Sequence, residues 1–349
     1  MLAVVAPGQG SQLPGMLTPW LSTDTASGDA SRQLLDWFAA VTDLDLVELG
    51  TGAPEETIRD TAIAQPLLVA TGLLAAAALA DTLNDDGSGV DRLPADVLAG
   101  HSVGELTAAA LSGALSVEAA LVLVVRRGRA MAAAAAATTG SMTAVLGGDP
   151  ADVLAVLARH GLVAANANGG GQVVAAGDPG ALAALAADPP ARARLRPLTV
   201  AGAFHTDHMA PAAESLRRLA RGLRPADPVV PVVSNRDGAA VTDGVELLAR
   251  IVDQVARPVR WDSCQQTFTD LGVTGLLELA PAGTLTGLAR RGLPGVETFA
   301  LRTPADLEGA AAFVRAHRRP GTDAVGTEVA STVLKPGIET IVEQLRGVS

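Results

Sequence analysis

Ala99-Gly100-His101-Ser102-Val103-Gly104-Glu105 joins a short apolar run, Asp96–Ala99, to a run with helical character, Val103–Leu111. Its central five residues fit the pattern G-x-S-x-G, in which a serine sits on a tight strand-to-helix turn. Glycines flank the serine because side chains at those positions would collide across the turn. In a chain with 37 glycines the pentapeptide is a weak signal by itself. The strand before it and the helix after it make Ser102 a candidate nucleophile and point to an α/β fold.

Towards the N-terminus, Leu2–Ala6 reads as a buried strand running into Gly8-Gln9-Gly10-Ser11-Gln12. This turn is not a dinucleotide fingerprint, because Leu13 stands where the third glycine is required. Ser31–Val41 and Gln65–Leu83 read as helices, the second apolar on most faces and therefore internal. Asn84-Asp85-Asp86-Gly87-Ser88-Gly89 is a loop by composition. Towards the C-terminus, Ser116–Ala137 reads as a helix.

Beyond Ala137 the rhythm changes. Strand Met142–Leu146, helix Pro150–Arg159, strands Leu162–Ala165 and Gln172–Ala176, helix Gly180–Ala187 and strand Leu195–Ala201 follow in turn. That order, β-α-β-β-α-β, is the ferredoxin-like pattern and predicts a compact insert with its own sheet. The larger pattern resumes at Phe204, with helices at Glu214–Leu223, Gly244–Val255, Ser263–Leu271 and Leu285–Arg291 and strands at Val229–Ser234 and Gly275–Leu279. The expected division is a large catalytic part over residues 1–138 and 202–303, an insert over 139–201, and a C-terminal extension over 304–349. The extension carries a predicted helix at Leu307–Arg318, a loop at Gly321–Thr327 and a last helix at Pro336–Leu345.

Composition narrows the class. The chain has 349 residues, 48% of them hydrophobic but only 2% aromatic, so its core must be packed with Ala, Val and Leu. A net charge of −11 leaves no basic stripe of the kind that replaces counterions on nucleic acid. Arg217, Arg218, Arg221 and Arg224, and again Arg290 and Arg291, read as solvated helix faces, with a small docking patch for an acidic partner as the other reading. The lone cysteine, Cys264, cannot form an intramolecular disulfide and fits a reducing cytosol, as a packed and inert thiol. The longest apolar run, Leu67–Ala80, spans 14 residues and is too short to cross a bilayer. A cytoplasmic protein with no membrane segment is expected.

A serine hydroxyl needs a base to become a nucleophile. Of the five histidines, His101 adjoins Ser102 too closely for an in-line hydrogen bond. His160 precedes Gly161 at a helix end, as a cap. His317 lies in an Arg-rich segment expected to be solvated. His205 and His208 remain, and His205 is favoured because a strand-end position fixes its geometry better. Among the basic residues, Arg127 has Leu123, Val124, Ala130 and Met131 on its helical face, whereas Arg126 shares a face with Arg129. Arg127 therefore points inward and needs an anion, since an unpaired buried charge is costly. A substrate carboxylate would fill that role through a bidentate guanidinium contact.

Taken together, Gly8-Gln9-Gly10-Ser11-Gln12, Gly100-His101-Ser102-Val103-Gly104-Glu105, Gly202-Ala203-Phe204-His205, Pro258-Val259-Arg260-Trp261 and Leu285-Thr286-Gly287-Leu288 resemble the malonyl-CoA:acyl-carrier-protein transacylases, from about Val4 to about Leu301. The resemblance implies an α/β-hydrolase-like large subdomain carrying the ferredoxin-like insert. It implies a Ser102–His205 pair with no acidic third member, the base being oriented by a backbone carbonyl at Gln254. An oxyanion hole from the Gln9 and Val103 N–H groups follows, each donor worth about 3 kcal/mol. Arg127 is the implied grip on the malonyl carboxylate, and Phe204 the side chain that narrows the pocket. Asn166, Asn168 and His101 are implied to line the cleft. The expected partners are malonyl-CoA and a phosphopantetheinylated acyl carrier protein, with no cofactor and no metal, in a monomer serving fatty-acid synthesis. A polyketide acyltransferase using another extender unit and a serine thioesterase or esterase are the alternatives. Ala280-Pro281-Ala282-Gly283 departs from the Gly-Pro-Gly turn usual in that family, and Val255-Ala256-Arg257 from its usual aromatic.

Overall fold

The computed structural model describes residues 1–21, 26–84, 93–200 and 202–319. The chain begins with β1 (Leu2–Ala6), followed by α1 (Ala26–Thr42), α2 (Leu46–Thr51), α3 (Glu55–Arg59) and α4 (Thr61–Asn84). Next come β2 (Val97–Gly100), α5 (Gly104–Leu111) and α6 (Val117–Ala137). The middle holds β3 (Ser141–Gly147), α7 (Pro150–Arg159), β4 (Val163–Gly169), β5 (Gln172–Gly177), α8 (Pro179–Ala187) and β6 (Ala193–Pro197). It is followed by α9 (Ala210–Ala220), β7 (Val232–Val233), β8 (Ala240–Val241), α10 (Gly244–Gln254) and β9 (Val259–Arg260). The described chain ends with α11 (Trp261–Asp270), β10 (Gly275–Glu278), α12 (Thr284–Gly292), β11 (Glu297–Ala300) and α13 (Leu307–His317).

Two sheets organise these elements, in keeping with the mixed α/β class read from the sequence. The first has the order β11-β10-β1-β2-β7-β8 and is parallel except for the β7–β8 pair. All five residues of β1 and all four of β2 are buried, as expected of strands covered by helices on both faces. β1 connects to β2 on one side and its neighbour β10 to β11 on the other, so the connections from these adjacent strands run in opposite directions, and parallel sheets bind ligands beyond the carboxyl ends of strands at such a point. The second sheet has the order β6-β3-β5-β4-β9. Its first four strands are antiparallel, whereas β9 pairs parallel to β4 through Asn166↔Val259 and Ala167↔Arg260. The main body thus lends a strand to the smaller sheet.

The apolar run at 67–80 is the middle of a longer helix. α4 has 24 residues, long and apolar enough to cross a membrane, but 78% of its most apolar window is buried inside the fold. Its buried polar residues find partners indoors: within the apolar run Thr71 donates to the Leu67 carbonyl at 2.7 Å, and before it Gln65 accepts from Arg127 at 2.7 Å. Gly128 lets α6 approach α4 closely, since a Cβ there would stand 2.8 Å from the Thr61 carbonyl oxygen. Several expected elements shift. The strand expected over 229–234 shortens to Val232–Val233, and the one expected over 195–201 covers Ala193–Pro197. Helices α2 and α3, and the short strands β9 and β11, were not expected. The helix Leu307–His317, placed in an extension by the sequence, buries Ala310, Ala311 and Val314 against the main body beside α4 and β10. The loop and last helix expected beyond residue 320, and most of the loop over 84–89, lie outside the described residues.

Candidate active site

Three loops meet at the carboxyl ends of β1 and β2. The strands run parallel with Ala6 opposite Gly100, and the His101 N–H donates to the Ala6 carbonyl at 2.9 Å. That register sets the turn after β1 against the turn after β2. The crossing leaves no room for side chains: a Cβ on Gly100 would stand 1.9 Å from the Gly104 carbonyl carbon, and one on Gly104 would stand 2.3 Å from the Ala6 oxygen. Ser102 holds a left-handed φ of 54°, a strained setting for a residue with a side chain.

His205 faces it. Its Nε2 lies 2.9 Å from Ser102 Oγ. His205 is not at the strand end expected of it but in a turn after Phe204, with a left-handed φ of 62°. Neighbouring bonds fix that turn, with Thr206 Oγ1 donating to the Ala203 carbonyl at 2.7 Å. His205 Nδ1 lies 3.1 Å from both the backbone oxygen and the side-chain Nε2 of Gln254. Gln254 Oε1 accepts from Arg127 Nη2 at 3.3 Å, which orients the amide. The tautomer that donates from Nδ1 to the Gln254 carbonyl leaves Nε2 free to accept a proton from Ser102. Burial, assisted by the Arg127 charge, pushes His205 down to about 3, so the imidazole is neutral at neutral pH. His208 points elsewhere, its Nδ1 packed beside Gly140.

Arg127 is 1% exposed, while Arg126 and Arg129 are exposed. Its Nη1 donates to Gln65 Oε1 at 2.7 Å and its Nη2 to Ser102 Oγ at 3.1 Å. Among the described residues, no carboxylate lies within 4.0 Å of it. Burial lowers its pKa only to about 10, so the guanidinium stays charged at neutral pH.

Beyond this centre runs a cleft of about 610 Å³ between the two sheets, lined by Gln9, His101, Asn166, Asn168, Phe204 and Arg291 among others. His101 Nε2 meets Asn168 Oδ1 at 2.9 Å, and burial holds its pKa below the usual range. Asn166 Oδ1 is buried with no partner among the described residues. Phe204 is buried and forms part of the core as well as the cleft wall. Gln9 Nε2 donates to Thr61 Oγ1 at 3.1 Å. Among the described residues, the backbone N–H groups of Gln9 and Val103 have no acceptor. Val103 precedes the first turn of α5, where backbone donors are left free. No group of three or more His, Cys, Asp or Glu among the described residues could hold a metal.

Some expectations change. His317 is not fully solvated: its ring packs at a tilt against Phe313 with centroids 4.3 Å apart, and its Nε2 lies 3.4 Å from Glu297. Cys264, by contrast, is buried as expected of a packed thiol, and burial raises its pKa well above the usual thiol range. Arg217 and Arg218 pair with acidic neighbours on the surface. Arg291 reaches Gln172 at 3.3 Å across the cleft mouth, whereas Arg290 is exposed outside it. Sequence reasoning gave no role to Gln65, Glu105 or Asn235. Gln65 was visible as a polar residue heading an apolar helix. Glu278 carries no such signal; its carboxylate accepts from the Gly283, Leu285 and Thr286 N–H groups and fixes the cleft wall at the start of α12.

Residues 4–315 match the family model described as the acyl transferase domain. The malonyl CoA-acyl carrier protein transacylase of Mycobacterium bovis is 47% identical over 308 residues, covering 88% of this chain and 98% of its own. That of Mycolicibacterium smegmatis is 43% identical, covering 84% of this chain and 99% of its own. A crystal structure described as MCAT from Mycobacterium tuberculosis superposes with a TM-score of 0.82 at 46% identity, covering 89% of this chain and 99% of that one.

Proposed function

This chain belongs to the acyl transferase domain family, and on that premise we propose that it carries a malonyl group from malonyl-CoA to the phosphopantetheine thiol of acyl carrier protein, for fatty-acid synthesis. One observation carries the choice of acyl group: a buried guanidinium, with no carboxylate within 4.0 Å among the described residues and Glu105 acting on it only at longer range, sits 3.1 Å from the hydroxyl of Ser102. A neutral acyl chain would leave that charge without a contacting anion, whereas the free carboxylate of malonyl supplies one. A plain esterase has no use for such a group.

Ser102 is the nucleophile and His205 the base. Ser102 Oγ attacks the thioester carbonyl as its proton passes to His205 Nε2. The tetrahedral oxyanion is received by the Gln9 and Val103 N–H groups. The C–S bond then breaks, and the coenzyme A thiolate takes the proton from the imidazolium. A malonyl-serine ester remains with its carboxylate on Arg127. In the second half-reaction, the carrier-protein thiol gives its proton to His205 and attacks the ester. Collapse of the intermediate returns the proton to Ser102 and releases the malonyl thioester. The Gln254 carbonyl stands where a triad places its acidic member, accepting from His205 Nδ1 and fixing the ring's tautomer and orientation. A carboxylate bound at Arg127 offsets the charge that disfavours the imidazolium, so the substrate itself strengthens the base. His101, Asn166 and Asn168 line the approach of the pantetheine arm, and Phe204 limits the space beside the malonyl α-carbon. A monomeric, cytoplasmic enzyme fits this reading.

Intact-mass detection of the acyl-enzyme across a panel of acyl-CoA thioesters tests it. Malonyl-CoA should add one malonyl group, the adduct should vanish on adding carrier protein, and Ser102→Ala should form none. Persistent labelling of that variant would remove Ser102 from the mechanism, and an equal yield with acetyl-CoA would remove malonyl as the preferred group.

A further inference from the structure

Asn235 follows β7, the neighbour of β2 in the large sheet, and is fully buried. It does not line the cleft. Its carboxamide instead grips the turn that carries Ser102 on both sides. Oδ1 accepts from the Ser102 N–H at 2.6 Å, and Nδ2 donates to the Gly100 carbonyl at 2.8 Å. The backbone of Asn235 is itself held. Its N–H donates to Glu105 Oε1 at 2.8 Å, and its carbonyl accepts from the Arg260 N–H at 2.7 Å. Glu105 lies in the first turn of α5, immediately after the elbow. Arg260 ends β9, whose pairing with β4 reaches Asn166 in the cleft wall.

Two features of the elbow need such a grip. Ser102 occupies the left-handed region, which a residue with a side chain holds only when its surroundings over-determine it. The turn also buries a donor and an acceptor that no regular structure satisfies, and Asn235 meets both with one planar group. The same bond divides two adjacent amides. The Ser102 N–H is occupied, while the Val103 N–H has no acceptor among the described residues.

We propose that Asn235 is a positioning residue for the nucleophile: its carboxamide clamps the Ser102 turn and leaves the Val103 N–H as the donor available to the reacting carbonyl. This rests on the role given to Ser102 above. It assigns Asn235 an effect on the chemical step and none on capture of malonyl-CoA, which Arg127 governs from a separate helix.

The test compares Asn235→Ala and Asn235→Asp in the full chain, with malonyl-CoA and quenched intact-mass detection. The readouts are the acylation rate at saturation and the half-saturating concentration. Asp keeps an acceptor for the Ser102 N–H but loses the amide donor to Gly100, so it should retain part of the rate that Ala loses. Ala should slow acylation about thirtyfold or more, the scale of a misplaced oxyanion donor. Its half-saturating concentration should stay within about threefold of the parent. A purely structural residue would reduce the folded fraction and leave the rate per folded molecule unchanged. Acylation by folded Asn235→Ala within about threefold of the parent, or a loss confined to half-saturation, overturns the proposal. If the Ala protein does not fold, the Asp protein decides by the same two readouts. Ser102→Ala is run alongside: an adduct on that variant sinks the nucleophile assignment itself, whatever Asn235 does.

Discussion

At Arg127 one side chain has two duties. It offers a carboxylate a charged partner, and its charge lowers the basicity of His205, second only to burial. Arg127→Gln should separate them. Loss of a charge-assisted bond costs about 1.5–3 kcal/mol, so preference for malonyl-CoA over acetyl-CoA should fall roughly 10- to 150-fold. Removing the charge also raises the His205 pKa, so the acid limb of kcat/KM for acetyl-CoA should move to higher pH. Both are read from one pH series with two substrates. An unmoved acid limb would mean that the charge does not reach the base. Arg127 was legible in the sequence because its helical neighbours are apolar and those of Arg126 are not. The preference for His205 over His208 agrees with its place beside Ser102, but the reason differs, since a turn with positive φ holds it and no strand end does. Asn235 was not legible. Its importance lies in two hydrogen bonds to residues more than 130 positions away in sequence, and no local pattern encodes such a contact.

The elbow and the α4–α6 crossing are the elements that set the site's dimensions. Gly128 stands beside Arg127 on α6, at the point where that helix meets the start of α4. Gly128→Val should force the helices apart, destabilise the fold by about 1–3 kcal/mol and displace Arg127 from Gln65. Thermal denaturation checks the first effect, and a raised KM for malonyl-CoA at a nearly unchanged kcat for acetyl-CoA checks the second. Long elements with a clear period were easy to read: the apolar helix before residue 84 and the βαββαβ series were both visible. Short strands were not. β9 has two residues, and pairing with β4 makes it a strand, so its identity depends on a partner nearly a hundred residues earlier. The helices α2 and α3 have 6 and 5 residues, less than two turns each, too short for hydrophobic periodicity to show.

Across the whole molecule, two buried titratable groups give stability an opposed pH dependence. Burial raises Glu105 from 4.5 to about 7. Between those values the folded state holds more protons than the unfolded chain, so this group's contribution falls as pH rises. His205 is depressed from 6.5 to about 3, so the folded state holds fewer protons in that window and its contribution grows as pH rises. From 4.5 to 6.5 the two oppose each other. Glu105→Gln should leave the His205 slope alone, so melting temperature should climb more steeply from pH 4.5 to 6.5 in the variant than in the parent. Equal slopes would mean that Glu105 does not titrate there. The layout of two sheets was legible in the order of elements, but their joint was not. Because β9 belongs by sequence to the main body and by pairing to the smaller sheet, the insert is not a portable module. Cut out at its chain boundaries, it would leave the β4 edge bare, ready to pair with another copy. Grafted elsewhere, it would need a host that supplies the missing strand. The piece of chain that arrives as an insertion is, in hydrogen bonds, one strand short of complete.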